Sequence, residues 1–222
     1  MCGIAGYIGS NDIKLERVNQ CLKLMANRGP DNQSYYSSKK IKKKNFFLHS
    51  RLSIIDINDA ANQPLKLENR TLIFNGEIYN YLELKDDLLK KGHKFKTQSD
   101  TEVLLRSYIQ YGENCVKKFI GMWSFAIVDE VKNIIFLSRD NFGEKPLFFF
   151  KNENEFIFGS EIKFIKKLCS QQFAINNKKI SNFLTLGYRS LNFDKETYFK
   201  DIFSLEPGSN LILEFDLKTK KS

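Results

Sequence analysis

The stretch FAIVDEVKNIIFLSRD, from Phe125 to Asp140, consists of two runs of β-branched and aromatic residues joined by a polar break at Glu130 to Asn133. A second stretch, PLFFFKNENEFIFGSE from Pro146 to Glu161, repeats the pattern around Asn152 to Asn154. Short apolar runs with polar turns between them read as antiparallel hairpins. Further runs of this kind lie at Ile4 to Ile8, Phe46 to Ile55 and Leu72 to Phe74, and near Tyr198 to Phe203 and Leu211 to Phe215. Helical periodicity separates them. Leu15, Val18, Leu22 and Met25 share one face, as do Leu82, Leu84, Leu88 and Leu89, and then Val103, Leu104, Ser107 and Tyr108. The last of these helices opens at Ser99-Asp100-Thr101-Glu102, residue types that cap a helix N-terminus. Two more short helices fit between Ser160 and Leu186. Many hairpins with a few helices between them predict an α+β fold, its antiparallel sheets packed on each other and its helices outside. No repeat and no Gly/Ser/Pro-rich linker divides residues 1–222, so one domain is expected.

The chain is 42% hydrophobic and 27% charged, a globular composition that excludes collagen-like and low-complexity readings. No apolar run approaches the roughly 18 residues that span a bilayer. The opening MCGIAGYIGSNDIK lacks the basic and apolar regions of a secretory signal. A cytoplasmic chain with no membrane partner is the expectation. The net charge of +9 raises the question of nucleic acid. Most of the basic residues are lysines scattered along the chain, and the densest group, Lys39, Lys40, Lys42, Lys43 and Lys44, reads as a hairpin tip. A solvated surface is expected there, with no nucleic-acid partner. Cys2, Cys21, Cys115 and Cys169 form no CxxC pair, and the two histidines, His49 and His93, leave a metal short of ligands, so no metal site is expected.

Four local patterns could carry chemistry. Cys2 follows Met1, whose removal a small second residue permits. One residue would then carry both a thiol nucleophile and an α-amine, a base with a reference pKa near roughly 7.7–8.0. A small buried residue is the plainer role for an isolated cysteine. Asn75-Gly76, in NGEIYNY, reads as a tight turn before a helix, with backbone N–H groups exposed. An Asn amide and a Gly N–H are suitable donors for a tetrahedral oxyanion. Arg51, in the strand-like HSRLSIID, offers a planar guanidinium to a carboxylate. Asp100 could cap its helix or receive an ammonium group. A cation for a carboxylate and an anion for an ammonium together suit a free α-amino acid. His49 is expected to be buried and structural, and His93 to lie in a polar loop.

Those patterns join others in a fixed order: MCGIAGYIG at the start, RGPD at Arg28 to Asp31, RLSI at Arg51 to Ile54, NGEIYNY, SDTE, and RDNFGEKPLFF from Arg139. The set resembles the class II glutamine amidotransferase domain, and within that class the glutaminase half of the glutamine-hydrolysing asparagine synthetases. The resemblance covers nearly the whole chain. It implies a four-layer αββα sandwich of the N-terminal nucleophile hydrolase type. It implies that Cys2 attacks the side-chain amide of glutamine, that Asn75 and Gly76 form the oxyanion hole, and that a γ-glutamyl thioester is then hydrolysed. Arg51 would bind the α-carboxylate and Asp100 the α-ammonium, with Leu52, Ser53, Ile54, Ile55 and Glu77 completing the glutamine pocket. The RGPD loop would lie over the site. Arg139 and Asp140 are read as an internal ion pair with no part in the chemistry.

In that family an ATP-dependent synthetase domain uses the ammonia to amidate aspartate. Its SGGxDS phosphate loop does not occur in this sequence. The resemblance therefore implies no cofactor for this domain, and ATP and Mg for a synthetase domain outside it. Two other readings stay open. The glutaminase could serve another acceptor, such as a surface-polysaccharide amidation enzyme, or the domain could be a non-catalytic glutamine-binding module. Oligomeric state is also open, a homodimer being one outcome.

Overall fold

A computed structural model describes residues 2–190 and 194–221. In chain order its first half holds β1 (Gly3–Gly9), α1 (Leu15–Met25), β2 (Asn32–Tyr36), β3 (Lys44–Arg51), β4 (Leu65–Leu67), β5 (Arg70–Ile78), α2 (Tyr81–Lys90) and α3 (Asp100–Tyr111). The second half holds β6 (Gly121–Asp129), β7 (Ile134–Arg139), β8 (Phe148–Lys151), β9 (Glu155–Gly159), α4 (Ile162–Leu168), α5 (Asn177–Leu186), β10 (Ile202–Ser204), β11 (Asn210–Glu214) and β12 (Thr219–Lys221). The strands form two sheets, ordered β10-β8-β9-β1-β3-β2 and β12-β11-β7-β6-β5-β4, and every pairing is antiparallel.

Side-chain alternation along the strands builds four layers, because successive residues face opposite sides of a sheet. In β1, Ala5 and Tyr7 pack with Val18, Leu22 and Met25 of α1 and Phe164, Ile165 and Leu168 of α4. Their neighbours Ile4 and Ile8 face the other way, into a core shared with Ile73, Ala126, Val128 and Ile135 of the second sheet. Leu72, Phe74 and Ile78 of β5 turn outward instead, onto Leu84 and Leu88 of α2 and Val103, Leu104 and Tyr108 of α3. The order is therefore helices, sheet, sheet, helices, which is the expected αββα sandwich.

Both quoted hairpins form, β6–β7 turning over residues 130–133 and β8–β9 over 152–154. The lysine-rich segment joins the antiparallel pair β2–β3 as expected. Four expectations need correction. The run from Phe46 does not stay a strand to Ile55, because β3 ends at Arg51, whose guanidinium draws the chain back by donating to Asn58 O, Asn62 Oδ1 and Asp56 O. Asn75-Gly76 is not a turn: both residues lie within β5, opposite Ser124 and Trp123 of β6. The turn comes later, where the Asn80 side chain bonds the Ile120 amide and the Lys118 carbonyl. Only Leu84 and Leu88 of α2 are buried, while Leu82 and Leu89 are exposed. Arg139 and Asp140 do not pair with each other, for a reason that belongs to the site. The polar strand β2 and the short β4 had no signature in the sequence. Among the described residues no helix is long and apolar enough to cross a membrane.

Candidate active site

Strand parity decides which side chains meet. Cys2 precedes β1 in phase with Ile4 and Ile8, Arg51 ends β3 in phase with Phe47, and Asn75 and Glu77 follow Ile73 in β5. All therefore face the space between the sheets, at the end of the sandwich where the apolar filling stops. There they line one cleft.

The thiol is held by the backbone where β3 has ended. Cys2 Sγ lies 3.4 Å from the Leu52 amide, which donates to it, and 3.6 Å from the Leu52 carbonyl. Burial raises the thiol above its ordinary pKa, while the Leu52 N–H and the Arg51 charge pull it down. The RGPD segment supports this arrangement from beneath. Arg28 Nε donates to the Cys2 carbonyl at 2.8 Å, and Nη1 meets Glu161 Oε1 at 3.1 Å. Asp31 N donates to Arg51 O at 3.0 Å, and Asp31 Oδ2 accepts from Ser53 N at 2.6 Å. Gly29 runs so close to β3 that a Cβ there would lie 2.4 Å from the Ser50 carbonyl carbon and oxygen. The segment anchors the start of β1 and the end of β3, and its residues do not line the cleft.

The second sheet brings the donors. Asn75 is buried, and its Nδ2 lies 3.5 Å from Ser124 Oγ. A Cβ on Gly76 would stand 2.2 Å from the Met122 carbonyl oxygen, so only glycine fits this register. The Phe74 peptide just before them is pinned on both sides. Its N–H donates to Gln63 Oε1 at 2.6 Å, and its carbonyl meets His49 Nε2 at 3.1 Å across the sandwich. His49 is wholly buried, which pushes it down to about 3 and keeps it neutral. This is the structural role expected of it.

Asp100 begins α3 but is not its cap. Ser99 is the cap, its Oγ accepting from Thr101 N at 3.1 Å. Asp100 Oδ2 instead accepts from Ile78 N at 3.0 Å, fastening α3 to the end of β5. Burial raises its carboxyl to about 6, against the pull of the Ile78, Thr101 and Ser99 hydrogen bonds.

Of the expected site residues, Cys2, Arg51, Leu52, Ile54, Ile55, Asn75, Gly76, Glu77 and Asp100 line the cleft. Ser53 is not among the lining residues, its amide being held by Asp31. Sequence reading missed Gln63, Ser99, Thr101 and Lys145, which do line it. Lys145 explains the uncoupled Arg139 and Asp140. The Asp140 carboxylate accepts amides from Trp123, Phe142, Glu144 and Lys145, at 2.9–3.3 Å. Arg139 donates to the Lys145 and Gly143 carbonyls at 2.8 and 2.7 Å, and to Ser204 Oγ and Leu205 O. The loop that follows them, before β8, has backbone groups with no strand partner, and the two charges satisfy several of those groups. Its product is a buried lysine on the cleft wall. The only advance signal was the concentration of charge in RDNFGEK.

Among the described residues no group of three or more His, Cys, Asp or Glu side chains is placed to hold a metal ion. Met1 lies outside the described residues, and with it the question of its removal.

The family model described as "Glutamine amidotransferase domain" matches residues 1–222. The chain belongs to this family. Among relatives of this glutamine amidotransferase domain, asparagine synthetase [glutamine-hydrolyzing] 2 of Bacillus subtilis is 39% identical, over all of this chain and 30% of its own. Asparagine synthetase [glutamine-hydrolyzing] 1 of the same organism is 35% identical over 97% of this chain and 34% of its own. The chain spans less than half the length of the curated relatives it matches first. A solved glutamine phosphoribosylpyrophosphate amidotransferase from B. subtilis superposes with a TM-score of 0.69 at 18% identity, over 99% of this chain and 49% of that one. That likeness concerns the fold, and it agrees with the αββα sandwich.

Proposed function

We propose that the cleft hydrolyses the side-chain amide of glutamine to glutamate and ammonia. One observation carries the reading: Cys2, the Asn75-Gly76 pair, Arg51 and Asp100 open on the same cleft. Glutamine enters with its α-ammonium toward Asp100 and its α-carboxylate toward Arg51. Binding the carboxylate requires Arg51 to exchange some of its present contacts with Asn58 and Asn62.

With Met1 removed, the α-amine of Cys2 accepts the thiol proton as Sγ attacks the amide carbon. The carbonyl oxygen becomes an oxyanion, stabilised by Asn75 Nδ2 and the Gly76 N–H. The intermediate collapses, the C–N bond breaks, and the amine returns the proton to the leaving ammonia. Water, deprotonated by the same amine, then cleaves the γ-glutamyl thioester and regenerates the thiol. His49 takes no part, being neutral and bonded to Phe74.

The ammonia goes, in this reading, to a synthetase domain that makes asparagine, as the names of the relatives suggest, and ATP and Mg are proposed for that domain alone. No step above passes through ATP or Mg. A cytoplasmic setting accords with the four free cysteines. The test is glutamate release from glutamine by the processed chain and by Cys2→Ala. The reading requires release from the first and none from the second, with both proteins folded.

A further inference from the structure

The sequence Ser99-Asp100-Thr101-Glu102 has the spacing of a capping box, in which Glu at the third helical position bonds the amide of the capping residue. Ser99 caps the helix, but neither bond of that box forms. Ser99 Oγ takes the Thr101 amide at 3.1 Å, but the Ser99 amide is held by Thr97 Oγ1 at 3.3 Å, not by Glu102. The Glu102 carboxylate reaches past the cap. Its Oε2 accepts from Lys96 N at 2.9 Å, Thr97 N at 2.8 Å and Thr97 Oγ1 at 2.9 Å. Its Oε1 accepts from Arg106 Nε at 2.9 Å and Lys96 N at 3.2 Å. Glu102 is 1% exposed, and Arg106 is buried beside it.

A carboxylate used this way shapes the turn before the helix more than it caps the helix. That turn carries much of the cleft. Ser99, Asp100 and Thr101 line it directly. The Gln98 amide donates to Asp56 Oδ2 at 2.8 Å, tying the turn to the loop that Arg51 holds and that carries Ile54 and Ile55. Ser99 Oγ also lies 3.4 Å from Asp100 Oδ1.

We infer that Glu102, braced by Arg106, is a positioning residue that sets the 96–99 turn so that Asp100 faces the α-ammonium of the substrate. The inference rests on the glutamine reading above. It makes Glu102 a determinant of selectivity for an amide substrate that bears an α-amine, although Glu102 does not line the cleft.

Glu102→Gln is the informative variant, because an amide offers one oxygen where the buried donors of Lys96, Thr97 and Arg106 require two. The measurements are steady-state hydrolysis of glutamine and of glutaramate, the same molecule without the α-amine, together with amide hydrogen exchange. The expected result is a KM for glutamine raised about tenfold with kcat within about twofold, and glutaramate hydrolysis within about twofold of wild type. Exchange at the Lys96 and Thr97 amides becomes faster. A parallel loss on both substrates, or an unchanged KM for glutamine, overturns the inference. If Glu102→Gln does not fold, Thr97→Val, which removes one of the bonds to Glu102, must give the same split in smaller measure. A wild-type chain that neither hydrolyses nor binds glutamine contradicts the glutamine reading itself. In that event exchange decides the positioning claim alone, and unchanged protection of Lys96 and Thr97 overturns it.

Discussion

The Leu52 backbone grips Cys2 Sγ from two sides, its amide at 3.4 Å and its carbonyl at 3.6 Å. Leu52 can do so because β3 stops one residue earlier, which leaves both of its backbone groups outside the ladder. The thiol is thereby oriented but held above its ordinary pKa by burial. In the chain that retains Met1, the pH profile of iodoacetamide alkylation at Cys2 should have its midpoint above pH 9, the reference value. Removing Met1 places the α-ammonium on the same residue and moves the midpoint down. A midpoint below 9 with Met1 in place contradicts the burial argument.

Asn75 and Gly76 are adjacent but should fail differently. Asn75→Ala removes a donor and leaves the strand intact, so kcat falls by about 10²–10³ with the fold retained. Gly76→Ala drives a Cβ to within 2.2 Å of the Met122 carbonyl and 2.7 Å of Trp123 Cα. Both neighbours are backbone of the adjacent strand and cannot move aside, so stability falls by about 1–3 kcal/mol or more. Urea denaturation beside the activity assay separates the two. Equal stability of the variants contradicts the register.

If Asp100 receives the α-ammonium as proposed, it sets an acid limit on substrate binding. Burial raises its carboxyl to about 6, and only the ionised form attracts an ammonium. KM for glutamine should therefore rise as pH falls through 6, reaching about tenfold at pH 5. Asp100→Asn should raise KM at neutral pH and abolish that dependence. A wild-type KM that is flat from pH 7.5 to pH 5 contradicts the assignment.

His49 acts on stability, in the opposite sense. The native state holds it neutral down to about 3, whereas an unfolded histidine takes a proton near 6.5. Between those values the unfolded chain binds more protons, so the His49 contribution weakens as pH falls through 6.5. Asp100, with a raised carboxyl pKa, favours the native state as pH falls below 6 and offsets part of this. Comparing wild type with His49→Gln cancels the Asp100 term. Between pH 7 and pH 5 the wild type should lose about 2 kcal/mol more than the variant in urea unfolding. Equal losses contradict a buried neutral imidazole.

The fold was largely legible because its strands are short apolar runs separated by polar turns, and its helices carry one apolar stripe each. The exceptions have physical causes. Strand β2, NQSYY, is partly exposed and carries no apolar alternation to read. Asn-Gly signals a turn only when the chain reverses there, and the full-length pairing of β5 with β6 kept it extended. Four residues that line the cleft were legible as chemistry: a thiol, a guanidinium, a carboxylate and an amide. Residues that act through backbone were not. Arg28 on the Cys2 carbonyl, Gln63 and His49 on the Phe74 peptide, and Asp140 on four amides have tertiary partners that no local pattern announces.

The most direct test is glutamate release from glutamine by the purified chain, with mass spectrometry confirming that Cys2 is the first residue. The account predicts release by the native sequence and none by a folded Cys2→Ala variant. Release that survives the substitution, or a correctly processed chain that neither binds nor hydrolyses glutamine, would contradict it.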